Sequence, residues 1–296
     1  MRGVSGRGPQ TPVHADGSVF AVVLAVVAAF GYGLSDLAGG RAAERLDARV
    51  VAGVSQAIAC GIALLLLALP LAPREPAVAD VLLAIGAGLG SAVGNVCIYA
   101  GIARHGATAV APTSGLVAIV LPVTVGLAAG ESLTAPQALG LALAMPAVWI
   151  VSGNGIRRPR DPRALLAGAA AGAGFGTQFA CLGLTGVDAG LVPLAVSQSV
   201  SVLVLVLLAL GAGRPSSRPE TGPIAVAILA GLLAGAATAS FQIAARTGEL
   251  AVAAVITSLY PAVTVVAAAA VAHRWWSRRE GVGLAMSTVA LVLIGL

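Results

Sequence analysis

Tyr32, Ser35 and Asp36 stand at i, i+3 and i+4, so a helix through them carries a phenol, a hydroxyl and a carboxylate on one face. A carboxylate inside an apolar run costs roughly 2.5–3.5 kcal/mol on insertion scales unless it is partnered or wetted. Asp36 therefore either binds a proton or a substrate amine in a cavity, or reaches the interface and pairs with Arg41 or Arg45. Further along, Phe175, Gln178 and Phe179 repeat the spacing with rings and an amide and no charge. Ser91, Asn95 and Tyr99 form a second stripe, spaced by four, and Thr238 and Gln242 repeat that spacing. Gln56 and Gln198 sit in a duplicated Val-Ser-Gln, and Thr257, Tyr260 and Pro261 stripe a late apolar run. An amide in hydrocarbon needs a partner, which another helix or a bound solute can supply. Taken together these side chains predict a cavity of amides, hydroxyls and tyrosines with little fixed charge. Such a lining suits a small polar or amphipathic organic solute and suits a free inorganic ion poorly.

Other chemistries lack their residues. Cys60, Cys97 and Cys181 each lie inside an apolar run, without the close pairing of a metal or redox site, and His14, His105 and His273 have no partner at i+4. No glycine-rich phosphate loop ending in Gly-Lys-Ser/Thr exists, so neither a nucleotide nor another cofactor is expected. Asp36, Glu44 and Asp47 come nearest to a carboxylate cluster, but arginines interleave them, and an enzyme is not the expectation. A continuous basic face with aromatic platforms, which nucleic acid would require, is missing.

The elements that must position the cavity are set by composition. The 296 residues are 58% hydrophobic and only 10% charged, with a mean hydropathy of +0.97, whereas a soluble domain carries about 25% charge. Charge gathered in short clusters between apolar runs of about 20 residues predicts an all-α integral membrane protein. Ten transmembrane helices are expected, at residues 19–39, 50–71, 78–102, 108–129, 136–152, 164–184, 190–211, 223–245, 250–271 and 280–296. Residues 1–18 read as a disordered tail, and residues 153–163, with Arg157, Arg158, Arg160 and Arg163 beside Pro159 and Pro162, as a basic linker in water. The half of the chain after the linker repeats the half before it. Val54-Ser55-Gln56 returns as Val196-Ser197-Gln198, Gly31-Tyr32-Gly33 as Gly174-Phe175-Gly176, and Tyr99 with Arg104 as Phe241 with Arg246, all at an offset of about 142 residues. Residues 19–152 and 164–296 are thus expected to be two five-helix repeats. Five is odd, so the second copy enters the membrane inverted, and inverted repeats favour alternating access.

Across nearly everything after residue 18, the duplicated chain resembles the EamA-type ten-helix members of the drug/metabolite transporter superfamily. The marks are Phe30-Gly31-Tyr32-Gly33 and Phe175-Gly176 in the first helix of each repeat, Gly130-Glu131-Ser132-Leu133-Thr134 leading to Gln137-Ala138-Leu139-Gly140, and Ser258-Leu259-Tyr260-Pro261. Two positions depart from the pattern: Arg274 stands where Glu131 would align, and Ala118 where Pro261 would align. The resemblance implies a multi-pass protein of the cytoplasmic membrane that exports small organic metabolites or drugs by secondary active transport, with protons as a candidate coupling ion. A membrane scaffold that moves nothing is the rival expectation, and an integral-membrane enzyme a more distant one.

Orientation is pulled two ways. All 17 basic residues are arginines, and 13 of them fall in the odd-numbered connections between spans. Arginine in short loops is retained in the cytoplasm, which places both termini outside. The resemblance implies both termini inside.

Overall fold

The helices begin where charge or proline ends an apolar run and stop where glycine, proline or charge returns. The computed structural model describes residues 15–68, 75–151, 161–211, 221–248, 250–273 and 277–294. These form helices α1 (Ala15–Ala42), α2 (Ala48–Ala68), α3 (Val78–His105), α4 (Ala107–Ala128), α5 (Ala135–Val151), α6 (Pro162–Gly183), α7 (Val192–Gly211), α8 (Thr221–Thr247), α9 (Leu250–Thr257), α10 (Tyr260–Val271) and α11 (Arg278–Ile294), with one 3-10 turn at Val187–Ala189. No strand occurs among the described residues. Among the described residues, eight stretches are long and apolar enough to cross a membrane, the last of them Leu250–Val271. α5 and α11 hold 17 residues each. At about 1.5 Å per residue they fall a little short of a hydrocarbon layer of about 30 Å.

The ninth expected span, 250–271, is two helices rather than one. α9 stops at Thr257, the chain turns at Ser258 and Leu259, and α10 restarts at Tyr260 with Pro261 in its first turn. Proline has no N–H to give the carbonyl four residues back, and its ring crowds that carbonyl. The ladder therefore ends at Thr257. α4 keeps its helix through Pro112 and Pro122.

The first helix starts at Ala15, so the last four residues of the stretch read as tail are helical; residues 1–14 lie outside the described residues. So do residues 152–160, most of the basic linker. Its end is described: Asp161 caps α6 by accepting the Arg163 N–H at 3.0 Å, and pairs with His105 Nδ1 at 2.8 Å.

Packing runs between the halves more than within them. α1 lies against α8 and α6 against α3, while α2 lies against α8 and α7 against α3. α2 touches α7, and α5 pairs with α11. Glycine permits these approaches. A Cβ on Gly88 would strike the Ser197 carbonyl, and one on Gly231 the Ser55 carbonyl. Gly174 meets backbone of Gly90 and Gly94. Such small-residue contacts are how helices associate where hydrocarbon surrounds them. The outer surface is correspondingly apolar, with Val23, Leu65, Leu82, Leu166 and Leu203 exposed, and the polar side chains are inside.

Candidate functional site

α1 reaches the centre because Gly31 lets it close on Ala237 of α8 and Gly33 lets it close on the Tyr260 carbonyl. That approach carries Tyr32 into a cluster of rings drawn from both halves. Its centroid lies 5.6 Å from Phe179, 6.5 Å from Phe175 and 6.4 Å from Tyr260. Phe175 meets Tyr260 edge-on at 6.3 Å, and Phe179 stacks obliquely on Phe241 at 4.5 Å. These separations are those of attractive aromatic pairs.

Each of the chain's three tyrosines finds a hydroxyl on another helix. Tyr32 donates to Thr238 Oγ1 at 2.8 Å, and Thr238 in turn donates to the Ala234 carbonyl. The Tyr260 and Ser114 hydroxyls lie 2.5 Å apart. Tyr99 lies 3.3 Å from Ser35 and 3.2 Å from Ser55. Ser35 gives its only proton to the Ala230 carbonyl, so Tyr99 donates to Ser35, and Ser55 is left to donate to Tyr99.

Asp36 is 3% exposed, so it stays within the bundle and does not reach the interface. Its Oδ2 has no hydrogen-bond partner. Asp36 shares a face of α1 with Tyr32 and Ser35, of which Tyr32 meets the Tyr260 ring and Ser35 meets the Tyr99 hydroxyl. One buried acid and every phenol in the chain therefore share one neighbourhood.

The amides divide. Gln56 and Asn95 meet at one serine: Gln56 Nε2 donates to Ser91 Oγ at 3.1 Å, and Asn95 Nδ2 to the Ser91 carbonyl at 2.8 Å and hydroxyl at 3.3 Å. Gln178, Gln198 and Gln242 are buried on α6, α7 and α8. The Oε1 atoms of Gln56, Gln178, Gln198 and Gln242 all lack a partner, as does Gln242 Nε2. Thr257 turns aside to the Ala25 carbonyl at 3.4 Å. The structure thus brings Tyr32, Ser35, Asp36, Tyr99, Phe175 and Tyr260 together and joins Gln56 to Asn95. It gives Gln178, Gln198, Gln242 and Thr257 no bond to that group.

Ser55 and Ser114 belong to the network and fall outside the set expected from sequence. Ser55 adjoins Gln56 in the duplicated triplet and so left a trace. Ser114 left none, because its role depends on where α10 restarts.

Charged groups outside the cluster tie connections to helix ends. Glu131 accepts the Leu250 and Ala251 N–H groups, each at 2.9 Å, which caps α9 with a carboxylate where the helix dipole favours one. Asp80 accepts the Gly186 N–H at 2.7 Å. Arg246 bonds the Gly190 and Gly186 carbonyls and the Thr185 hydroxyl. On the exposed turn before α2, Arg49 bridges Asp47 at 2.9 Å, and its guanidinium holds that carboxyl below the usual range. No group of three or more metal-ligating side chains occurs among the described residues.

Comparison with known proteins fits this architecture. Residues 19–153 match the family model described as "EamA-like transporter family". No curated protein matches the chain. Fourteen solved chains match in structure. One, described only as "Crystal structure of protein", has a TM-score of 0.68 at 14% identity, covering 92% of this chain and 95% of that one. At that identity the likeness establishes the fold alone.

Proposed function

We propose, because residues 19–153 match the EamA-like transporter family model, that this chain is a secondary transporter that exports a small organic solute by alternating access. Ten membrane-crossing helices, arranged as inverted repeats over residues 19–152 and 164–296, would supply the two half-bodies. The observation that carries the reading is the convergence of Asp36 and all three tyrosines between helices of both halves. A scaffold needs no buried carboxyl with an unpartnered oxygen. A moving binding site does, because its partner comes and goes.

The break between α9 and α10 supports the same reading. Interrupted helices at the interface of transporter repeats free backbone groups beside the substrate. Here the interruption immediately precedes Tyr260, and Gly115 of α4 packs against it. Asp36 is the natural carrier of a coupling proton, since the groups acting with it are phenols.

Counterflow tests this directly. Proteoliposomes preloaded with a candidate solute should take up labelled solute against its gradient without ATP. Absence of counterflow for every solute that binds the purified protein would leave the scaffold reading in place. For orientation we take the arginine count over the resemblance, which puts the odd connections in the cytoplasm. A single cysteine at Ser216, which lies outside the described residues, in a variant lacking Cys60, Cys97 and Cys181, should resist an impermeant thiol reagent in intact cells. Labelling there would reverse the orientation.

A further inference from the structure

The hydrogen-bond inventory of the core is unbalanced, and the imbalance has a sign. Several hydroxyl donors are used internally: Tyr32 gives its proton to Thr238, Ser35 to Ala230 and Tyr99 to Ser35, and one proton is shared between Ser114 and Tyr260. The buried groups left without a partner are mainly acceptors. Asp36 Oδ2 and the Oε1 atoms of Gln56, Gln178 and Gln198 are orphaned, Gln242 lacks partners at both amide atoms, and Arg246 Nε, at the end of α8, is an orphaned donor. The orphaned hydroxyls of Ser201 and Ser258 can act as donor or acceptor. Buried acceptors left unmatched cost free energy, so a ligand that brings N–H groups is bound by supplying them.

Charge agrees with this sign. The chain has no lysine. Arg246 turns its guanidinium to the connection after α6, bonding Thr185, Gly186 and Gly190. Tyr32, one helical turn before Asp36, belongs instead to a ring cluster with Phe175, Phe179 and Tyr260. Ring faces attract cations, more strongly when water is excluded. A carboxylate ligand would meet Asp36 and a surplus of acceptors.

We propose that the solute carried is a protonated primary amine with an apolar body, its N–H groups taken by Asp36 and its body by the aromatic cluster. The proposal rests on reading this cluster as the transport site and narrows its substrate to one chemical class.

Binding can be separated from transport. Purified full-length protein in detergent micelles is equilibrated with labelled phenethylamine and a series of primary amines carrying larger apolar bodies. 2-Phenylethanol, 3-phenylpropanoate and trimethylated phenethylamine serve as competitors. At least one primary amine should bind. The alcohol and carboxylate should compete at least tenfold more weakly than the amine itself, and so should the trimethylated cation, which keeps the charge but has no N–H. Asp36→Asn should weaken amine binding at least tenfold. Failure of every amine to bind, or competition by the carboxylate or alcohol equal to that of the amine, overturns the proposal. Because the competitor series uses only the parent protein, poor folding of the variant does not blunt it. Amine binding without counterflow would instead overturn the transporter reading and leave only the amine-binding chemistry of the site standing.

Discussion

α1 and α6 take matching places, α1 against α8 and α6 against α3, yet they bring different chemistry to the centre. α1 presents a phenol, a hydroxyl and a carboxyl; α6 presents two rings and an amide. The two faces meet, since Tyr32 touches both Phe175 and Phe179. A duplicated scaffold can thus keep its backbone contacts and diverge in its lining, with one half supplying charge and the other an apolar wall. The same contrast separates α4, continuous through two prolines, from α9 and α10, broken at Ser258 and Leu259. Shared packing does not require shared function along matching helices.

If packing is shared, matched damage should hurt equally. Gly88→Val and Gly231→Val each drive a side chain into the carbonyl of a serine on a crossing helix. Each should lower thermal stability by about 1–3 kcal/mol. Melting in micelles checks this, and a large loss in one variant alone would break the correspondence between the halves. The lining predicts the opposite asymmetry. Gln56 has Ser91 as a partner, while the oxygens of Gln56 and Gln198 are both unmatched. Replacing either with Leu should change solute affinity by roughly 0.6–1.7 kcal/mol, about three- to eighteen-fold, with little loss of folded protein. A fall in yield and melting temperature in step with activity would assign the amides to structure.

How much of the molecule was legible in sequence depended on what each feature requires. Helix limits were legible, because an apolar run ended by charge or glycine is local information, and the described helices begin and end within four residues of the expected edges wherever the expected edge is itself described. The break in the ninth run was not, because hydropathy continues across Ser258 and Leu259 and only the position of Pro261 hints at it. Tyr32, Ser35 and Asp36 were legible as one face. Their partners were not, since Thr238 and Ser114 lie 206 and 146 residues from the tyrosines they bond and meet them only through packing. The depth of Asp36 was hidden for a similar reason: α1 runs on to Ala42, so a residue placed near a span end is enclosed instead.

Smaller effects sharpen the contrast at the helix ends. Glu131 caps α9, whereas the start of α4 at Gly106 has no side-chain cap. Glu131→Gln should therefore lower stability by about 0.3–1 kcal/mol. Unchanged melting would mean that the cap contributes nothing. The smallest effect belongs to Asp47, exposed and paired with Arg49. Its folded pKa is lowered, so its contribution is present above the ordinary carboxylate pKa and is lost as pH falls through the lowered value. Asp47→Asn should leave melting nearly unchanged at every pH, and a clear drop at neutral pH would show that this turn matters more than an exposed pair can.

The carboxyl at the centre decides whether the aromatic and hydroxyl cluster works or merely packs. For a solute that the parent exchanges, uptake into proteoliposomes is measured with and without an imposed pH gradient, in the parent and in Asp36→Asn. The parent should respond to the gradient and the variant should not, even where the variant is folded and still binds solute. Full gradient-driven uptake by the variant would mean that Asp36 is a structural residue and that the site of coupling lies elsewhere.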